Sequence, residues 1–454
     1  MTPSISLLLM SATYNPAHAT ELLWEGHYRT RADIFDSLSL SAENAQAEGL
    51  SSALNHRARL APTWHLSHTV RLHSQIDLLR GVRWGSQAVS PTDPATGETL
   101  SSLLGQSVQS PTTDDGAATL ENIHVTRLWS EIDTEFGVLA FGRQPLHWGS
   151  GMVWNAGNRI EDEYGDTMDR VSFTSQAGPV YLTAAYETRV ENFVAEQDDY
   201  HGFVGQVLYI TEQSGVGMTN ILRTYSNDGT SFRLYTGDLW ASANIGDAEI
   251  EAEFAANLGQ GDLDTGENNL TIGSFGGQLT AGYETNGIRI GFGGGFATGD
   301  ANPDDSEIKT FSFDSDFNVG IMLFETNMPV LEATIMNENN DGRDTEAIRV
   351  SDGISNALYL RPRVGYRLDD NTYADLYVLA ANQAKPEEGL EEEKGYGMEI
   401  GAHISYQPMP HVSLDGVAAA FLPGSYFTEY ESDNLGGDFN QPALGGRIVA
   451  SVEF

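Results

Sequence analysis

The chain has 454 residues, a formal net charge of −40 and no cysteine, and 40% of its residues are hydrophobic. The absence of cysteine excludes disulfide scaffolds, thiol nucleophiles and cysteine-ligated metal centres. The acidic balance argues against a nucleic-acid partner, because phosphate binding needs clustered Lys and Arg. No run of about 18 apolar residues occurs, which excludes a helical membrane protein but leaves a membrane β-barrel open.

The N-terminal residues predict export. Residues 5–12 form a short apolar core, and Ala17-His18-Ala19 places small residues where signal peptidase would inspect them. We therefore expect a signal peptide over residues 1–19 and a single barrel domain over residues 20–454. The first basic residue is Arg29, so the usual positive n-region is missing and would have to come from a longer leader. The alternative is a disordered tail with small residues by chance.

From residue 21 onward, stretches of ten to fourteen residues alternate between apolar and polar side chains. The alternation is clearest over residues 395–407 and recurs over residues 22–31, 70–78 and 248–254. A soluble β-sandwich also alternates, so the pattern alone does not decide the fold. Long strands, joined alternately by very short turns and long polar loops, are typical of a transmembrane β-barrel.

We predict an all-β, transmembrane antiparallel β-barrel of about eighteen strands, with short periplasmic turns and long extracellular loops. The predicted strands are 21–33, 53–64, 69–80, 120–133, 137–146, 169–176, 179–188, 200–211, 215–224, 231–244, 247–257, 270–283, 287–297, 355–368, 372–384, 395–407, 411–421 and 443–454. The eighth to tenth strands have the weakest pattern, so sixteen strands are the alternative. Residues 298–354 hold apolar material at 311–324 and are expected to fold over or into the barrel mouth.

The C-terminal strand predicts the bacterial outer membrane. Residues 446–454 alternate and end on Phe454, which resembles the signal by which outer-membrane barrels are recognised for assembly. We expect outer-membrane lipid, lipopolysaccharide and the barrel-assembly machinery as partners. Aromatic residues near strand ends are expected to form interfacial girdles; these are Trp24, Tyr28, Trp64, Trp129, Tyr366, Tyr396 and Tyr406.

One segment suggests a family. Residues 128–151, with residues 155–158 and 164–171, resemble an uncharacterised family of outer-membrane β-barrels from myxobacteria and their relatives. That family is in turn similar to alginate-export porins, and residues 358–366 give weaker support. The resemblance implies a barrel in the outer membrane and carries no established substrate.

Charged residues on the predicted lumen face form two opposed walls. The basic residues lie on the first three, the fourteenth and the last predicted strands: Arg29, Arg31, Arg57, Arg59, Arg71, Arg361, Arg363, Arg367 and Arg447. The acidic wall on the eleventh strand consists of Glu249, Glu251 and Glu253. Walls of charge select solutes in pores, and Arg binds carboxylate or phosphate in a bidentate fork. Alternatively, these arginines pair with neighbouring carboxylates such as Glu25, Asp33 or Asp77 and stiffen the wall.

The connection between the fifth and sixth strands, residues 147–168, is expected to fold inward and constrict the pore. Its aromatic, amide and charged side chains are of the kind that contact sugars or cations: Trp148, Trp154, Asn155, Asn158, Arg159, Glu161, Asp162, Glu163 and Tyr164. The alternative is an external loop whose tryptophans pack against the barrel rim.

The sequence predicts neither a cofactor nor an enzyme. Residues 337–342 have the alternating oxygen ligands and glycine of a calcium loop, but Ile348 stands where the bidentate glutamate is needed. Loop calcium is therefore a weak prediction, and a solvated acidic surface is favoured. No nucleophile elbow, HExxH, phosphate loop or dinucleotide fingerprint occurs.

We therefore predict a porin-like channel for small hydrophilic or charged solutes, lined by arginine and carboxylate side chains. A channel for export or uptake of an anionic polysaccharide is the second hypothesis, and it requires a continuous, uncompensated arginine wall. A third is a receptor or structural barrel plugged by residues 298–354. A continuous water path would separate the first hypothesis from the third.

Overall fold

The computed structural model describes most of the predicted barrel. The described residues are 21–37, 50–83, 123–163, 165–188, 200–227, 230–262, 270–302, 305–325, 334–335, 348–349, 353–386, 394–427 and 441–454. The predicted signal peptide, the calcium-like loop at 337–342 and Tyr164 lie outside these residues. No helix within the described ranges is long and apolar enough to cross a membrane.

Eighteen strands of the described chain form one closed antiparallel barrel, as predicted. They are β1 (Glu21–Asp36), β2 (Leu50–His65), β3 (Val70–Arg83), β4 (Ile123–Thr134), β5 (Gly137–Pro145), β6 (Thr167–Ala177), β7 (Val180–Thr188), β8 (Tyr200–Ile210), β9 (Ser214–Asn227), β10 (Thr230–Ile245), β11 (Ala248–Asp262), β12 (Leu270–Thr285), β13 (Ile288–Ala297), β17 (Ala357–Arg367), β18 (Thr372–Gln383), β19 (Gly395–Met409), β20 (Val412–Pro423) and β21 (Ala443–Glu453). Between β13 and β17 lie three two-residue strands, β14 (Glu307–Ile308), β15 (Thr334–Ile335) and β16 (Ile348–Arg349). Strand β14 pairs with the beginning of β12 in parallel, and β15 pairs with β16 in antiparallel orientation.

The first and last strands close the barrel. Strand β1 pairs with β2 on one side and with β21 on the other. Phe454 continues the seam, because Gly26 N donates to Phe454 O at 2.8 Å and Phe454 N donates to Gly26 O at 3.0 Å. The phenyl ring lies over Gly26, where a Cβ would come within 2.8 Å of it. Closure leaves no unpaired strand edge at the seam.

The two faces of the wall differ as the alternation predicts. On β11, Ile250, Phe254 and Leu258 are exposed on the outer face, whereas Glu253 and Ala255 are buried on the inner face. Exposed Leu, Ile, Val, Phe and Tyr side chains continue this pattern around the barrel. The outer face is therefore the apolar belt that lipid requires.

Two of the predicted girdle aromatics point into the barrel instead. Tyr396 is fully buried because it is the extra residue of a β-bulge between Gly395 and Gly397, the latter at φ +115°. Trp129 stacks on His73 with ring centroids 4.7 Å apart, on the inner face of β4. The girdle prediction was wrong for these two residues, because it rested on their position near strand ends, which does not decide the face that a side chain occupies.

Tight connections gather at one end of the barrel, as expected of periplasmic turns. They are residues 66–69, 135–136, 178–179, 211–213, 246–247, 286–287, 368–371 and 410–411. Strand β1 begins and β21 ends at the same side. The opposite end carries the longer connections, apart from the two residues between β9 and β10, and two of the longer ones enter the lumen.

Candidate functional site: the barrel lumen

The described residues of the connection between β5 and β6, 146–163 and 165–166, lie inside the barrel, and we call them the crossing loop. Met152 and Ala156 in this loop are 0% and 1% exposed. The first half of the loop contacts β10, β11 and β12, whereas the second half contacts β1, β2 and β4. The loop therefore connects opposite walls of the barrel across the lumen.

Hydrogen bonds hold the first half of the crossing loop. Trp148 Nε1 donates to Asp238 Oδ1 on β10 at 3.0 Å. The backbone N and the Oγ of Ser150 both donate to Glu253 Oε2 on β11 at 2.6 Å. Gln278 Nε2 on β12 donates to Ser150 Oγ at 2.9 Å. Three neighbouring strands thus fix the loop tip.

Both predicted loop tryptophans are buried inside the barrel. Trp148 is 6% exposed and Trp154 is 5% exposed. They share an apolar cluster with Leu146, Met168, Ala185, Val204, Ile221 and Trp240. The Arg223 guanidinium on β9 lies 5.5 Å from the centre of the Trp154 ring. The two tryptophans therefore pack against the inner wall formed by β7–β10, and not against the barrel rim as the alternative interpretation held.

Arginines from the opposite wall bind backbone carbonyls in the second half of the loop. Arg29 Nη1 donates to Ile160 O at 2.7 Å, and Arg57 Nη1 donates to Asp162 O at 2.6 Å. Arg59 and Arg127 donate in the same way to the carbonyls of residues 157 and 156. These guanidinium groups satisfy loop carbonyls that burial removes from water.

The crossing loop also supplies carboxylates to these arginines. Glu163 forms ion pairs with Arg29 and with Arg31, the latter at 2.6 Å. Asp162 is 2% exposed, and its Oδ2 accepts a hydrogen bond from the Arg159 backbone N at 2.8 Å. Burial raises the pKa of the Asp162 carboxyl. Arg159 and Glu161 are exposed on the loop surface.

The basic wall is largely compensated by carboxylates on neighbouring strands. Arg59 binds Asp77 in a bidentate fork, with contacts of 2.7 and 2.8 Å. Arg71 contacts Asp133 at 2.7 Å and Glu131 at 3.0 Å. Across the β1–β21 seam, Arg447 contacts Asp33 at 2.6 Å and also reaches Glu325 at 2.7 Å. In this sector the geometry matches the charge-network alternative.

The predicted acidic wall has three different environments. Glu249 pairs with Arg289 of β13, and Glu251 accepts Trp240 Nε1 at 2.9 Å. Glu253 holds the crossing loop and has no basic partner in the described chain. The three glutamates lie on the inner face but do not form one continuous charged surface.

The remaining predicted arginines lie on β17. Among the described residues, Arg361 and Arg363 have no carboxylate within ion-pairing distance, and the Arg361 guanidinium lies 4.4 Å from the Tyr377 ring centre. Arg367 contacts Glu284 at 3.2 Å. A cavity of about 710 Å³ opens beside them at the tight-turn end, lined in part by Glu249, Glu284, Arg289, Arg363, Arg367, Asp375 and His403.

Glycines make room for long side chains along this wall. Gly291 lies directly opposite Arg363 on the neighbouring strand, and a Cβ there would be 2.5 Å from Arg363 Nε. Gly401 lies opposite Tyr377 in the same manner, and a Cβ there would overlap the ring. The long side chains therefore lie flat along the wall. The lumen is wider than it would be if these side chains extended toward its centre.

A second connection, residues 305–325, also enters the barrel, and its buried part begins at about residue 310; we call the whole range the inner segment. Its backbone N–H groups at residues 321, 322 and 323 donate to the Glu399 carboxylate at 3.0, 3.0 and 2.8 Å. Tyr377 Oη donates to the same carboxylate at 2.6 Å. Glu399 is 0% exposed and therefore fixes the segment from within the wall of β19.

The inner segment packs against an apolar sector of the wall. From the segment come Phe311, Phe313, Val319, Ile321, Met322, Leu323 and Phe324. From the barrel come Phe35, Ala255, Ala297, Ala357, Tyr359, Tyr377, Leu379, Ala381, Tyr396, Ala419, Phe421 and Ala443. Such a lumen face suits permanent contact with protein rather than with water.

The crossing loop and the inner segment meet at an acidic junction. Asp314 N donates to Met152 O at 2.7 Å, and Glu163 N donates to Asp316 Oδ1 at 3.2 Å. Burial and, after it, the neighbouring Asp166 together raise the pKa of the Asp314 carboxyl to about 8. The junction therefore favours a protonated Asp314 at neutral pH.

Several lumen residues escaped the sequence analysis. Arg127 follows a β-bulge opposite Gln75, which breaks the alternation on β4. The others are Arg223, Asp238, Gln278 and Arg289. Each of these four lies on the inner register of its strand, so applying the alternation to every strand would have found them. Within the described chain, no cluster of three or more His, Asp or Glu side chains is suited to a metal ion.

The closed barrel, its apolar outer face and its charged lumen define the class: an outer-membrane β-barrel of the porin type. Two solved structures from Pseudomonas aeruginosa align with nearly the whole chain. OccK5 (OpdH) is 12% identical with a TM-score of 0.51, covering 95% of this chain and 98% of its own. OpdQ is 9% identical with a TM-score of 0.52, covering 95% and 97%.

A further solved structure, an anion-selective porin from Comamonas acidovorans, is 11% identical with a TM-score of 0.45, covering 96% of this chain and all of its own. No family model and no curated protein matches the sequence. The two structures from Pseudomonas aeruginosa support the barrel fold, and identities this low leave the transported solute to be argued from the lumen.

Proposed function

We propose that the protein is a channel for diffusion of small hydrophilic or charged solutes across the bacterial outer membrane. The observation that carries the proposal is the closed, externally apolar barrel whose charged lumen is narrowed by the crossing loop. Opposed charges in a narrow pore orient dipolar solutes and disfavour apolar ones. A transport role also accords with the absence of the common catalytic signatures from the sequence.

We further assign different roles to the predicted pore-lining arginines. Arg29, Arg57 and Arg59 bind the crossing loop and set its position. Arg361 and Arg363 lie on the inner face of β17, and Arg363 borders the tight-turn cavity. We propose that these two meet the passing solute, because no carboxylate of the described chain neutralises them.

Transport of an anionic polysaccharide remains a second proposal, motivated by the resemblance to the myxobacterial barrels and to alginate-export porins. It would need a continuous cationic path through the lumen. The ion pairs of Arg59, Arg71 and Arg447 count against such a path. Small solutes are therefore favoured over a polymer.

A plugged barrel acting as a receptor or structural protein is a third proposal. The inner segment supports it, because Glu399 and the apolar wall hold this segment inside the lumen. In either case we propose lipid and lipopolysaccharide as neighbours of the outer belt. We also propose that the barrel-assembly machinery recognises the C-terminal strand, whose alternation ends at Phe454.

Planar-bilayer recording tests the channel proposal. The folded protein is inserted, and single-channel conductance and reversal potential are measured in a salt gradient. We expect discrete ohmic steps and a reversal potential that moves toward cation selectivity in Arg363→Glu. A matched variant, Arg143→Glu, changes an exposed ion-paired arginine with its side chain outside the lumen and should leave the reversal potential unchanged. Silence from correctly folded barrels would reject diffusion and favour the plugged barrel.

A further inference from the structure

Three buried polar side chains on neighbouring strands beneath the crossing loop each have an oxygen atom without a donor. Asp238, Glu253 and Gln278 are 1%, 2% and 5% exposed. Each has one side-chain oxygen without a hydrogen-bond donor in the described chain, namely Asp238 Oδ2, Glu253 Oε1 and Gln278 Oε1. Unsatisfied buried acceptors are rare and costly, so several at one place call for a ligand.

The strand register brings the three side chains together. Glu253 on β11 lies directly opposite Gln278 on β12, and Asp238 on β10 is its diagonal neighbour. The Asp238 and Glu253 carboxyl groups are close enough to interact directly. Ser150 joins Gln278 to Glu253, because it accepts from the amide at 2.9 Å and donates to the carboxylate at 2.6 Å.

The second oxygen of each carboxylate is already engaged by the crossing loop. Trp148 donates to Asp238 Oδ1, and Ser150 donates to Glu253 Oε2. The loop therefore covers both carboxylates, and Oδ2 and Oε1 are left to each other, so either a proton or a cation held between the two groups would satisfy them. These two atoms, with Gln278 Oε1, form an all-oxygen set.

No basic side chain of the described residues neutralises this pair. The contrast on the same inner wall is Glu187, equally buried but paired with Arg223 at 3.4 Å. Two adjacent buried carboxylates repel each other strongly when both are ionised. A cation between them would remove both the repulsion and the unsatisfied oxygens.

We propose that Asp238, Glu253 and Gln278 bind a divalent cation, Ca²⁺ in the first place, beneath the crossing loop. Hard cations of this kind prefer carboxylate and amide oxygens, and Ca²⁺ accepts irregular sets that water completes. The ion links β10, which holds Trp148, to β11 and β12, which hold Ser150. It therefore fixes the tip of the loop that narrows the lumen.

Terbium luminescence offers a direct test, because Tb³⁺ replaces Ca²⁺ and is excited by nearby tryptophan. Trp240 lies directly opposite Glu253 in the register, and Trp148 hydrogen-bonds Asp238. Folded barrels are freed of metal with EDTA, titrated with Tb³⁺ and then competed with Ca²⁺. We expect saturable emission that Ca²⁺ displaces, with apparent affinity weakened about tenfold or more in the D238N/E253Q double variant.

The matched control is E187Q, which removes a buried carboxylate from the same wall but leaves the proposed ligands intact. Its emission should equal that of the unmodified protein. Emission that persists in the double variant would place the ion in the acidic loops and overturn the proposal. The absence of saturable emission from the unmodified protein would also overturn it, and a proton shared by the two carboxylates would then explain the pair.

A second measurement serves if the double variant fails to fold. The thermal unfolding midpoint of the unmodified protein is recorded with EDTA and with added CaCl₂, at matched ionic strength. We expect the midpoint to rise with Ca²⁺ and to saturate, because an ion that binds only the folded state stabilises it. An identical midpoint in both solutions would contradict the proposal. Neither readout depends on transport, so the channel proposal can fail or succeed separately.

Discussion

Removing the carboxylate of Glu399 should release the inner segment from the barrel wall. In Glu399→Ala the backbone N–H groups of residues 321–323 lose their common acceptor within a buried site. An orphaned buried donor costs about 1–3 kcal/mol. Because the three donors share one acceptor and water can enter the space left behind, we expect a total of about 4 kcal/mol. Glu399→Gln keeps one acceptor oxygen but replaces the other by an NH2 group that faces buried donors, so about 1–3 kcal/mol is expected.

Hydrogen exchange of these three amides measures the effect locally, without requiring the whole barrel to unfold. A free energy of 1.4 kcal/mol corresponds to a tenfold change in the exchange rate, so Glu399→Gln should accelerate exchange about tenfold to a hundredfold and Glu399→Ala several hundredfold. Glu284→Gln is the control, since Glu284 lies on the inner wall but contacts Arg367 and Arg289 instead. Equal exchange rates in the unmodified protein and Glu399→Ala would refute the anchoring role.

Three further outcomes are expected. Gly26→Val places side-chain atoms against the Arg59 carbonyl oxygen and the Phe454 ring, so pairing of β1 and barrel closure should be impaired. SDS gels should show a smaller heat-modifiable fraction, and a normal folding yield would contradict this. The pKa of Asp314 is raised to about 8 in the folded protein, so the junction should lose stability as the pH rises from about 4 to 8 and remain constant above that range. The current noise of single channels should rise over the same pH range, and in Asp314→Asn it should be independent of pH. An unchanged pH profile in the variant would exclude the Asp314 carboxyl as the group responsible. Arg57→Ala should weaken the attachment of the crossing loop by about 2 kcal/mol, because Arg57 donates to Asp162 O at 2.6 Å. The variant should show larger conductance fluctuations in bilayers, and unchanged traces would argue against a loop anchor.

The strands were predictable because lipid on one side and a polar lumen on the other impose a strict two-residue period. All eighteen predicted strands, including those over 200–244, form the barrel. Side chains were assigned to the wrong face, or could not be assigned, where the period is interrupted. Tyr396 and Arg127 lie at β-bulges. An inserted residue exchanges the inner and outer positions of the residues that follow it, and nothing in the amino-acid composition indicates where this happens.

The contacts of the lumen were less predictable than its walls. Alternation places Arg57 and Glu253 on the inner face, but their partners lie about 100 residues away on irregular loops. The distance along the chain hides such contacts, since loop conformations carry no period. The same limit explains why the sequence left open whether these arginines contact solute or form a charge network, since the Arg59–Asp77 pair joins side chains 18 residues apart.

The crossing loop has a mechanical consequence for the barrel as a whole. A cylinder of eighteen strands has a wide cross-section, and hydrogen bonds within the sheet resist stretching better than flattening. The crossing loop joins Arg29 and Arg57 on one wall to Asp238 and Glu253 on the opposite wall. It therefore resists a change in the distance between these walls. We expect the lumen to keep its cross-section when lateral pressure in the membrane changes, because the loop opposes flattening of the barrel.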